Sequence, residues 1–246
     1  MKISFEQIKT VTVGAVSIKQ TERGIRFYKC TQKQLEAWYA LSQTLGTRAE
    51  TTTGVRLDFH TNSRYLTFSA EGGRFDVYLN DVLRLHTECN GESEPIRLEL
   101  TDALGGALEE CRVTLVFPSH GAGLLKELEL EDGATVEPHK FDTKLLFIGD
   151  SITQGWDSGY DSLSYAWRVS RFFNADSVIH GVGGGYFHET VFDSIPFDPD
   201  TVIIAFGTND FGHYKTQDSM REQTRLFLEK ITAEYASKRI FVISPT

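Results

Sequence analysis

At 246 residues with 40% apolar composition, the chain is long enough to bury a real core, as one large domain or two small ones. A formal charge of −9 with no cluster of Lys and Arg argues against a nucleic-acid partner. No run approaches membrane-spanning length, the opening MKISFEQIKTVTVGAV lacks the pattern of a secretory leader, and three scattered cysteines fit reduced thiols, so the sequence predicts a cytoplasmic globular protein with no membrane partner.

From about residue 10 to 132 apolar residues recur at every second position, the period of half-buried strands. The stretch 32–42, QKQLEAWYALS, is the one helix-like interruption. Val55, Leu57 and Phe59 alternate with Arg56, Asp58 and His60, and Phe75, Val77 and Leu79 alternate with Arg74, Asp76 and Tyr78. Asn80-Asp81 offers a turn before Leu83 and Leu85 resume the pattern. Ile96, Leu98 and Leu100 repeat it, as does Cys111 to Phe117 after the Gly105-Gly106 break, with Cys111 read as a small core residue, and Leu128 and Leu130 close it. The pattern predicts an N-terminal antiparallel β-sandwich of jelly-roll type over residues 1–140.

After the polar segment EPHKFDTK the grammar changes. Leu145 to Ile148, Val202 to Phe206 and Ile240 to Ile243 are continuous apolar runs, as in parallel strands buried on both faces. Between them Tyr165, Val169 and Phe172 share one helical face, and Phe227, Ile231 and Tyr235 another. Residues 141–246 therefore predict a flavodoxin-like α/β/α domain, giving a mixed α/β chain.

Three segments fall where its strands should end. Gly149-Asp150-Ser151-Ile152-Thr153 places a serine hydroxyl near a helix N-terminus, where the oxygen and its own N–H can meet one bound carbonyl. In His180-Gly181-Val182-Gly183-Gly184-Gly185 the missing side chains let backbone N–H groups approach a ligand. Gly207-Thr208-Asn209-Asp210 offers a side-chain amide to a developing oxyanion. Neither a dinucleotide fingerprint, which Tyr186 interrupts, nor a Gly-x-Ser-x-Gly elbow competes with this reading. Asp157, Asp161, Asp193, Asp198 and Asp200 match no ligand spacing and read as solvated loop charge, so no metal or cofactor is expected. Trp156 and Tyr160 are candidates for a pocket wall or for plain packing. His180, His188 and His213 read as surface or loop residues.

On GDSIT and GTND, in that order and each after its strand, the chain resembles the SGNH hydrolases, the GDSL family of esterases and lipases, over residues 144–246. The middle block matches in part, since Ile179 stands where the family has asparagine. The β-rich half is similar in layout to the jelly-roll domains of family-2 carbohydrate esterases and related acyltransferases. The resemblance implies Ser151 as nucleophile and an oxyanion hole of the Ser151 and Gly184 N–H groups and the Asn209 amide, with Gly183 a near rival of Gly184. The implied substrate is a small O-acyl ester, such as an acetylated carbohydrate. The family's closing Asp-x-x-His block, which supplies base and orienter, does not follow Ile243-Ser244-Pro245-Thr246. An incomplete sheet is thus expected, with weak ester hydrolysis and either association with a second copy or marginal stability. The rival readings are a carbohydrate-binding protein without activity and an acyltransferase.

Overall fold

The computed structural model describes residues 1–91, 94–102, 105–106 and 108–244. Pro245 and Thr246, which follow the last strand in sequence, lie outside them. Among the described residues, ten antiparallel strands form one continuous sheet. Its hub is the long strand Tyr65–Leu79: the first half pairs with Ile96–Glu99 and Leu124–Leu130, the second with Val82–Asn90 and Cys111–Val116. Gly72 and Gly73, both at positive φ, sit where the pairing changes, so the sheet bends there and closes around one apolar core. Leu57, Phe59, Phe75, Val77, Val113, Leu115 and Leu130 fill that core, as the alternation predicts, and Cys111 is buried among them.

The face expected to be polar and wet is not. Arg56 and Asp58, counted as outward residues, are 3% and 1% exposed, because the second half of the chain covers that face. The Arg56 guanidinium donates to the Ala175 carbonyl and the Ser177 hydroxyl, and Asp58 is held by Arg56 and Arg112. Those opposing guanidinium groups keep the Asp58 carboxyl below its ordinary value in spite of its burial. The expected turn forms, with Asn80 and Asp81 both at positive φ.

Two helices escape the sequence pattern. Phe5–Val11 starts at a Ser4/Gln7 capping box, and Gln43–Ala49 follows Ser42 directly after the helix Gln32–Leu41. The latter pair contributes Leu35, Trp38, Leu45 and Ala49 to the core of the parallel sheet, not to that of the antiparallel one.

The parallel sheet runs Ala175–Gly181, Thr143–Gly149, Thr201–Ala205, Arg239–Val242 in spatial order. Its residues are apolar on both faces because both are covered. Leu146, Ile148, Val202 and Ile204 meet Phe227 and Ile231 of the helix Gln217–Glu234, while Leu145, Phe147 and Ile179 meet Ala166 and Val169 of the helix Tyr165–Phe172. Phe172 departs from the face predicted for it. It is 83% exposed at the helix end, and Trp167 turns instead onto Tyr78 and Val116 of the antiparallel sheet. None of the described helices is long and apolar enough to cross a membrane.

Candidate active site

Parallel register brings the three predicted blocks to one edge. Gly149 pairs with Gly181 on one side and Ala205 on the other, so the strands end level and their loops leave together. Asp150 caps the short helix Ser151–Gln154, its carboxylate accepting the Ile152 N–H at 2.9 Å. Side chains then tie the loops to each other. Gln154 accepts the Gly183 N–H at 2.6 Å, Asn209 donates to the Gly185 carbonyl at 2.9 Å, and Asp210 accepts the Phe187 N–H at 3.1 Å. Gly181 has no room for a side chain, since a Cβ there would lie 2.4 Å from the Gln154 nitrogen.

What these bonds leave free is informative. The Ser151 hydroxyl and the Gly184 N–H have no hydrogen-bond partner among the described residues, and Asn209 commits one of its two amide hydrogens. All three residues are half-exposed, while Asp150, Thr153, Gln154, Gly183, Gly185 and Asp210 around them are buried. Of the two candidate glycines, Gly183 spends its N–H on Gln154, which leaves Gly184, held at φ +78°, with a donor to offer. Beside Ile152 and Thr208, an apolar recess of about 360 Å³ opens between Tyr165, Phe206 and Ile243.

The titratable groups are shifted by burial. Asp150 is raised above its ordinary value, and Asp210 is pushed up to about 6, one of its oxygens lacking any partner. His180, read from sequence as a surface or loop residue, is buried at the junction of the two sheets. Its Nε2–H donates to the Lys29 carbonyl at 2.5 Å and its Nδ1 faces the Gln34 amide at 3.4 Å, and burial lowers it to about 4. Both ring nitrogens are thereby engaged, so this histidine has no lone pair to give a substrate. His213 lies flat on Tyr186 with ring centroids 3.6 Å apart, and His188 bonds Thr190.

Asp210 and His213 have the Asp-x-x-His spacing, a match the sequence reading passed over. The carboxylate nevertheless points inward to Phe187, away from the imidazole on Tyr186. The five acidic loop residues do not gather at one point: Asp157 is exposed at positive φ, and of the rest Asp198 and Asp200 line one hollow. Asp161 meets Arg74 and His120, Asp193 meets Thr31 and Lys33, Asp198 meets Lys238, and Asp200 meets Thr143. Tyr160 packs on His86, whereas Trp156 is 44% exposed beside the second block.

Fold, register and motif define a class. Residues 147–246 match the GDSL-like Lipase/Acylhydrolase family. Solved structures share the wider architecture. A salicylyl-acyltransferase from a tetracycline biosynthetic pathway aligns with TM-score 0.78 at 18% identity, over 93% of this chain and 68% of that one. A family-two carbohydrate esterase from Cellvibrio japonicus aligns with TM-score 0.67 at 16% identity, over 98% and 78%. The Clostridium thermocellum family-two esterase in complex with cellohexaose gives 0.63 at 17%, over 79% and 72%. No curated protein matches the chain. Residues 147–246 thus carry the pattern of a GDSL-like lipase/acylhydrolase domain, and the two-sheet fold of the whole chain is shared with the family-two carbohydrate esterases.

Proposed function

We propose that the chain is a serine esterase acting on a small O-acylated carbohydrate through an acyl-serine intermediate. Ser151 Oγ forms a bond to the acyl carbon, the ester C–O bond breaks, and the sugar hydroxyl leaves with a proton. Water then takes the acyl group from Ser151. One observation carries this reading: in a tightly bonded set of loops, the Ser151 hydroxyl, the Gly184 N–H and one Asn209 amide hydrogen are left without a partner among the described residues and lie half-exposed at one sheet edge, where the likewise unpartnered Asp210 oxygen is buried. Those are a nucleophile and two donors for the oxyanion, each donor worth ~10²–10³ in turnover in such sites. The acyl group fits the apolar recess beside Ile152. Acyl transfer to an alcohol in place of water uses the same intermediate, and the acyltransferase among the structural neighbours supports that second reading.

The test is intact-mass spectrometry after exposure to an activated alkyl phosphonate. One adduct is expected on the wild-type chain and none on Ser151→Ala. His188→Ala and His213→Ala run alongside, and the one that slows labelling identifies the proton acceptor. An adduct that persists in Ser151→Ala, or no adduct on the wild type, contradicts an activated Ser151 in this chain.

A further inference from the structure

The oxyanion loop is bordered by cations that have no acid to neutralise them. The Arg48 guanidinium donates through Nη1 to the Gly183 carbonyl at 2.9 Å and lies so close to the loop that a Cβ on Gly184 would sit 3.0 Å from it. It has no carboxylate within ion-pair distance among the described residues, and its other N–H groups are unspent. The same guanidinium stacks 5.0 Å from the exposed ring of Trp156. Against the same ring stands His120, 4.8 Å away edge-on, delivered by the antiparallel half and anchored through Nδ1 at 3.0 Å from Asp161. Behind Arg48, the fully buried Lys29 ammonium bonds the Arg48, Gly181, Thr51 and Thr53 oxygens and no carboxylate.

Three polar tips are therefore open at one place: the free Arg48 N–H groups, the Trp156 indole N–H and His120 Nε2. Parallel-strand order puts them past the Ala175–Gly181 edge of the site, on the opposite side of Ser151 from the apolar recess. We propose that Arg48, Trp156 and His120 form the subsite for the alcohol half of the ester and select an acidic sugar, a hexuronate whose carboxylate lies on Arg48 and whose ring lies against Trp156. The inference rests on the esterase reading for the placement of the sugar, and it deepens that reading by naming the sugar's charge. In a chain of net charge −9, two uncompensated cations beside the oxyanion loop are a local reversal that a neutral glycan would not use.

A matched pair of probes tests it without needing turnover: methyl β-glucuronide and methyl β-glucoside, which differ only in a carboxylate. Binding to the full chain is read by tryptophan fluorescence and saturation-transfer NMR. The glucuronide is expected to bind about tenfold or more tighter, the scale of one charge-assisted hydrogen bond. Arg48→Gln should bring the two within about twofold of each other, Arg48→Lys should restore part of the preference, and Trp156→Ala should weaken both sugars alike. Circular dichroism confirms the fold of each variant. Equal affinity for the two sugars, a preference that survives in Arg48→Gln, or no saturable binding of either overturns the subsite. A glucuronide preference without phosphonate labelling of Ser151 would leave the subsite standing and remove the catalytic reading; labelling without the preference would do the reverse.

Discussion

His180 makes the junction between the two sheets sensitive to acid. The Lys29 carbonyl can only accept, so the proton must sit on Nε2, and Nδ1 is then the acceptor that the Gln34 amide meets. Adding a second proton turns Nδ1 into a donor facing a donor and places a charge beside the Lys29 ammonium, in a fully buried site. The folded-state value of about 4 lies below the ordinary 6.5, so the contribution to stability is complete above pH 6.5 and is lost as pH falls through 4. At pH 4.5 that linkage amounts to roughly 2–3 kcal/mol, a large share of the 5–15 kcal/mol typical of a folded protein. Asp210 works in the opposite sense, being raised to about 6: it costs stability above that value and recovers it as pH falls. The wild-type curve alone therefore mixes the two, and a difference is needed. Urea unfolding of the wild type and His180→Gln at pH 7.5 and pH 4.5 supplies it, since Gln offers the same donor and acceptor without titrating. The wild type should lose roughly 2–3 kcal/mol more than the variant between the two conditions. Parallel losses would mean that the imidazole takes up its proton without penalty, and the account of the junction would be wrong.

Two further outcomes follow from the same geometry. Asp210→Asn should raise stability at pH 8, because the neutral amide removes a buried charge with one unpartnered oxygen, and the advantage should shrink as pH falls through 6 and the wild-type carboxyl takes up its own proton. Melting temperatures of both forms across that range check it, and a constant gap would count against it. Gly184→Ala should cost about 1–2 kcal/mol from a side chain at φ +78° and should push Arg48 off the Gly183 carbonyl. Urea unfolding and the phosphonate labelling rate should both fall; unchanged values would show that the loop absorbs the methyl group without strain.

The strands and the three strand-end blocks were legible because each is local. Period-two alternation marks Arg56–Thr61 and Cys111–Val116 whatever they pack against, and Gly149-Asp150-Ser151 carries its turn, its cap and its hydroxyl in consecutive residues. What alternation cannot reveal is which outward face meets a second sheet. Arg56 and Asp58 look like a solvated edge until Ala175 and Ser177, more than a hundred residues on, arrive to bury them. The helix Gln43–Ala49 was hidden for a related reason: its buried residues serve a sheet encoded far downstream, so no nearby period announces them. Arg48, His120 and Trp156 meet only in space, each from a different segment, and of the three the sequence singles out Trp156 alone, as a candidate pocket wall. The division has a physical basis. A segment that carries its own turn, cap and hydroxyl is legible by itself, whereas recognition of the rest of a substrate tolerates assembly from distant loops. Lys29 shows how the second kind is held to the first, its ammonium joining the Thr51 and Thr53 loop to the Gly181 carbonyl at the root of the glycine-rich segment. On the proposed subsite the antiparallel half builds one wall of the cleft, and changes there should alter sugar binding more than the phosphonate labelling of Ser151.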